Sequence, residues 1–92
     1  MTSRNVELQL SPSDAWTQLK SVAAGLGKIE ETHEASRFVI FKARHGLNPV
    51  RLRVSVLSGP TENTSRLDIQ GRGQDIWGVA SRRVIDRLCA AF

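Results

Sequence analysis

The amino-acid sequence predicts a two-layer α+β domain: a five-stranded antiparallel sheet with two helices on one face, in the order β-α-β-β-β-β-α. Three observations predict it. Strand-length segments show apolar–polar alternation, the period of a half-buried strand. Two longer segments carry apolar residues at helical spacing. Four of the strand-like segments follow one another through short links, which favours antiparallel neighbours.

The first segment alternates cleanly, with Val6, Leu8 and Leu10 one way and Asn5, Glu7 and Gln9 the other. It stops at Ser11-Pro12-Ser13-Asp14. Ser11 can cap a helix, Pro12 suits the first helical position, and Asp14 completes a capping-box spacing. Trp16, Leu19, Val22, Ala23 and Leu26 then form one apolar helix face. Gly25 and Gly27 end the helix, with Gly27 expected as a left-handed cap.

Lys28 to Glu34 is a weaker strand whose one strong apolar residue is Ile29. Glu34-Ala35-Ser36 reads as a turn, followed by a strand from Arg37 to Arg44. That strand is apolar on both sides: Val39, Phe41 and Ala43 suit the core, while Phe38 and Ile40 point the other way. His45 to Pro49 reads as a loop with strong breakers. Val50, Leu52, Val54 and Val56 alternate inward against Arg51, Arg53 and Ser55. Ser58 to Ser65 is a polar loop, and the last strand turns Leu67 and Ile69 inward, with Arg66, Asp68, Gln70 and Arg72 outward. Gly71 and Gly73 are expected to break it.

The final helix is expected from about Asp75 to Ala91, with Asp75 as its cap. Trp77, Ala80, Val84, Leu88 and Ala91 would form its inner stripe, flanked by Ile76, Ile85 and Phe92. Gly78 is unfavourable within a helix by up to about 1 kcal/mol. Either the helix starts later, or the backbone approaches the sheet closely there. Both helices have one apolar face, so both should cover the same side of the sheet and leave the other side open.

A chain of 92 residues makes a single domain, and at this size roughly 60–70% of the unfolded surface is buried. One cysteine, Cys89, rules out an internal disulfide. The first residues are polar and the longest apolar runs are too short for a bilayer. The expectation is a soluble cytoplasmic protein. The net charge is +4, with ten arginines against three lysines. An arginine excess suits planar, bidentate contact with anions, and it also arises from GC-rich coding sequence.

No catalytic constellation, phosphate loop or metal-ligand spacing stands out. His33 and His45 lack a third ligand, and no serine or cysteine has a local base. No enzyme activity, metal or cofactor is expected. Trp16, Phe41, Val54, Ile69 and Trp77 could line an apolar ligand pocket between helices and sheet, or simply pack the core. Arg51, Arg53, Arg66 and Arg72 lie outward on adjacent strands as a nucleic-acid or anion stripe, partly cancelled by Glu7 and Asp68, or as a solvated face. Phe38 and Ile40 suggest a homodimer contact on the open face, unless a curled sheet or a loop covers them.

The element order resembles the TATA-box-binding-protein-like, or helix-grip, arrangement. The stretch Asp75-Ile76-Trp77-Gly78-Val79-Ala80-Ser81-Arg82-Arg83-Val84-Ile85 resembles the C-terminal helix of small uncharacterised bacterial domains of that kind. Those often open on Asp-Trp-Gly, whereas here Ile76 separates Asp75 from Trp77. The resemblance implies a fold and no activity. The expected role is a non-enzymatic binding or interaction domain, able to hold a small apolar ligand, with nucleic-acid binding as the alternative.

Overall fold

The computed structural model describes residues 2–73 and 78–92. The elements run β1 (Thr2–Leu8), α1 (Pro12–Leu26), β2 (Lys28–His33), β3 (Phe38–His45), β4 (Asn48–Ser58), β5 (Ser65–Gly73) and α2 (Val79–Ala90). The sheet order is β1-β5-β4-β3-β2, and every neighbouring pair is antiparallel. Strands β2 to β5 form a meander, and β1 closes onto its last strand. Both helices pack on β3, β4 and β5 from one side. The α+β arrangement is therefore the expected one.

Helix α1 starts as its sequence dictates. The Ser11 hydroxyl accepts the Asp14 backbone N–H at 3.2 Å, and Pro12 opens the first turn. Its C-cap differs from expectation. Gly27 is extended, at φ −171, and not left-handed. Glycine is needed there for a different reason: a Cβ would stand 2.0 Å from the Lys42 carbonyl oxygen of β3.

The β2–β3 link includes Arg37, which adopts φ 51 and belongs to the turn, not to β3. Trp16 ties this turn to α1, its Nε1 donating to Glu34 Oε2 at 2.6 Å, while Lys20 donates to the other oxygen at 3.0 Å. The stretch His45 to Pro49 is shorter than a loop. His45 pairs with Asn48, leaving Gly46 and Leu47 as a two-residue hairpin turn. Positive φ falls at Gly46 alone, at +62, the pattern of a type II′ turn. Pro49 lies inside β4, just outside the Val50–Gly73 pair that ends the ladder between β4 and β5.

Gly71 does not break β5. It is buried beneath α2, where a Cβ would meet Leu52 Cδ2 at 2.8 Å and both Ile85 and Ser81 at 3.4 Å. This is the close approach of helix to sheet. Gly78 adopts φ 69 and caps α2, which begins at Val79 and not near Asp75. The roles expected of Asp75, Ile76 and Trp77 fall outside the described residues. On α2 the buried residues are Ala80, Ser81, Val84, Ile85 and Leu88, so Ile85 joins the inner stripe and Ala91 is exposed.

The core lies between the helices and the covered face of the sheet. Leu19, Ala23, Val39, Phe41, Leu52, Val54, Leu67, Ile69, Val84 and Leu88 are all fully buried in it. No helix of the described residues is long and apolar enough to cross a membrane.

Candidate anion-binding surface

The residues expected to line an apolar pocket do meet in the helix–sheet layer, but as packing. Phe41, Val54 and Ile69 have no exposed surface, and Trp16 retains 5%. Phe41, Val54, Ile69 and Trp16 belong to one contiguous core. Three surface depressions, of about 270, 210 and 430 Å³, are lined by other residues. Trp77 lies outside the described residues.

The open face is where charge gathers. Side chains alternate along each strand, so the buried residues of β3, β4 and β5 force their neighbours outward. Pairing then decides which outward residues meet. Lys28 stands opposite Lys42, Lys42 opposite Arg51, and Arg51 opposite Arg72. Four strands thus carry a row of four cations, roughly 14 Å across at the usual strand spacing. Arg53 lies two residues along β4 from Arg51, opposite Ile40 and Gln70. Lys42, Arg53 and Arg72 form no salt bridge among the described residues.

All three depressions touch this row, the largest at Lys28 and Lys42, and two of them lie along Arg51 and Arg72. One is lined by Lys42, Pro49, Val50, Arg51, Arg72 and Gly73. The other is lined by Ile40, Arg51, Arg53, Gln70, Gly71 and Arg72.

Arg66, expected in the same stripe, is separated from it. It stands six residues from Arg72 along β5, or about 20 Å in a strand. It faces Glu7 on β1, with the guanidinium 3.8 Å from the carboxylate. Asp68 lies near this end as well, opposite Asn5 and Ser55. The open face therefore has a balanced end and a cationic end. Spacing along β5 sets Arg66 apart from Arg72, and pairing adds that Arg66 faces Glu7.

Phe38 and Ile40 point to the open face and are half-buried. Phe38 is covered by side chains, not by a loop. The His33 ring stacks on it with centroids 4.2 Å apart and planes 20° from parallel, and the Arg53 guanidinium carbon lies 4.4 Å from its centroid. His33 and Arg53 are themselves exposed. The result is a pile of flat groups beside the cation row.

Lys28, Lys42 and Glu30 do not stand out in the sequence. Lys42 is legible in principle, flanked by inward Phe41 and Ala43. Glu30 is not, because its role depends on a β-bulge. The register of β2 on β3 shifts between Ile29 and Glu31, and Glu30 is the extra residue. Its carboxylate accepts from Arg51 Nε at 2.8 Å and Nη2 at 3.2 Å.

Elsewhere, Cys89 is half-buried, with its sulfur 3.8 Å from Arg4 Nη1. The same Arg4 nitrogen lies 2.8 Å from Asp86. That bonded carboxylate holds the Arg4 pKa above its ordinary value. The contact ties β1 to α2. No cluster of three or more metal-ligating side chains occurs among the described residues.

Comparisons with known proteins bear on the fold alone. No family model matches the sequence, and none of the curated proteins does. The chain is similar to the crystal structure of an uncharacterized protein from Bacillus thuringiensis, with a TM-score of 0.50 and 14% identity. The match covers 98% of this chain and 88% of that one.

Proposed function

We propose that this chain is a non-enzymatic binding domain whose recognition surface is the cationic end of the open sheet face, and that its ligand is single-stranded nucleic acid. The observation that carries the reading is the row Lys28–Lys42–Arg51–Arg72. Like charges directly across a ladder destabilise a sheet, so folding alone gives no reason for four in line. A polyanion lying across the row would relieve the repulsion and release counterions.

The neighbouring His33–Phe38–Arg53 pile favours a nucleic acid over an acidic protein. Single-strand binders pair a basic track with flat groups on which bases stack. The exposed His33 ring and Arg53 guanidinium offer such surfaces. The other two expected uses fit less well. An apolar ligand would need room where Phe41, Val54 and Ile69 are fully buried. A face-to-face homodimer through Phe38 and Ile40 would have to displace His33 and Arg53, which already half-cover Phe38.

Titration of a labelled oligothymidylate at several salt concentrations tests the reading. Binding should weaken steeply with salt. The Lys42→Gln, Arg72→Gln double variant should bind more weakly, with a salt slope shallower by about 0.7 for each phosphate no longer neutralised. No binding at low salt, or equal binding of polyglutamate, would overturn it.

A further inference from the structure

One member of the cation row is already engaged. Arginine holds two anionic oxygens through a planar fork, whether they belong to a carboxylate or a phosphate. Arg51 does this with Glu30, through Nε and Nη2. Glu30 reaches it by an unusual route. As the extra residue of the β2 bulge, its carboxylate extends past β3 to meet a side chain of β4. The Arg51 side chain is 59% exposed and that of Glu30 30%, so the pair sits at the surface within reach of a competitor. Lys42 and Arg72 flank Arg51 across the ladder on either side.

We infer that Arg51 is an anion subsite of the proposed surface and that Glu30 is its resident placeholder, which a backbone phosphate of single-stranded nucleic acid displaces. The inference rests on the open-face reading. Exposed ion pairs hold weakly, so the displacement is easy once a ligand phosphate is held nearby. An intramolecular carboxylate nevertheless competes at a high effective concentration. A small free anion meets that competition alone. A phosphate within a chain arrives already anchored by Lys42 and Arg72. Glu30 thereby selects polyanions over small anions at Arg51, and the bulge that places it is part of the site.

The test uses four variants of the whole chain: Glu30→Gln, Arg51→Gln, the double variant, and Glu62→Gln. Glu62 lies in the loop joining the opposite ends of β4 and β5, so its loss changes net charge equally without touching the row. Thermal melts establish that each variant is folded. Affinity for labelled oligothymidylate is then measured across a salt series. Glu30→Gln should bind about two- to fivefold more tightly than the wild type, given the strength of an exposed pair. Its salt slope should stay close to that of the wild type, because the same phosphates are engaged once Glu30 is displaced. The gain should vanish when Arg51 is also replaced, and Glu62→Gln should not reproduce it. If the wild type binds but Glu30→Gln matches Glu62→Gln, or keeps its gain without Arg51, the placeholder is overturned and the open-face reading stands. If neither the wild type nor Glu30→Gln binds, the open-face reading fails and the inference with it.

Discussion

Phe41 and Phe38 stand three residues apart on β3 and meet opposite surroundings. Phe41 faces the helices and is fully buried in the core. Phe38 faces outward, half-covered by His33 and Arg53. The same contrast runs across the sheet. On the covered face shape decides identity: Gly71 leaves room for Ser81 and Ile85. On the open face charge is arranged against stability, with like-charged side chains opposite one another on four strands. A feature that costs stability and is not required by packing is a better guide to function than a well-filled core.

Replacing the two phenylalanines separates the faces most sharply. Phe41→Ala should cost about 3–5 kcal/mol, from lost transfer energy and the cavity left behind. Phe38→Ala should cost well under that, since little around it depends on its volume. Denaturant unfolding of both variants measures the difference. Equal losses would mean that the open face is as much a core as the covered one.

A smaller effect of opposite sign is expected on the cation row. Lys42→Gln removes a charge that faces Lys28 on one side and Arg51 on the other. It should stabilise the fold by about 0.2–1 kcal/mol, the range of a cross-strand pair. Added salt should shrink the gain by screening the repulsion in the wild type. Destabilisation by Lys42→Gln at low salt would show that the row is balanced by something other than a ligand.

The smallest effect concerns the turn that joins β2 to β3. Hydrogen bonds from Trp16 and then Lys20 hold the Glu34 carboxyl below its ordinary value of 4.5. A carboxylate with a lowered folded pKa adds stability above its unfolded pKa. That contribution is lost as pH falls through the folded value. Wild-type thermal stability should therefore decline on acidification below about 4.5 more steeply than that of Glu34→Gln. Parallel curves would remove Glu34 from the acid response. The group is exposed, so the effect is expected to be slight.

Much of the covered face is legible in the sequence because it depends on local period. Val50, Leu52, Val54 and Val56 alternate, and all four are buried. The candidate site is legible only in part. Arg51, Arg53 and Arg72 are recognisable as outward residues, and six residues of β5 part Arg72 from Arg66, yet only pairing sets Arg51 beside Arg72 and Arg66 beside Glu7. Lys28 merely opens a weak strand in the sequence, and only pairing brings it opposite Lys42. The glycines mislead for the same reason. Gly27 and Gly71 answer to atoms of other elements, the Lys42 carbonyl and the α2 side chains, which no sequence window contains.

By itself the sequence determined the element order, the face each strand buries and the capped start of α1. These follow from side-chain alternation, helical spacing and hydrogen bonds within four residues. Tertiary structure decided that β1 joins β5, that four cations fall in one row, and that Glu30 reaches Arg51 from a bulge. Each of these depends on the register between strands distant in sequence. Register is set by how the whole covered face packs beneath the helices, so the open face acquires its charge pattern as a consequence of the core on the other side.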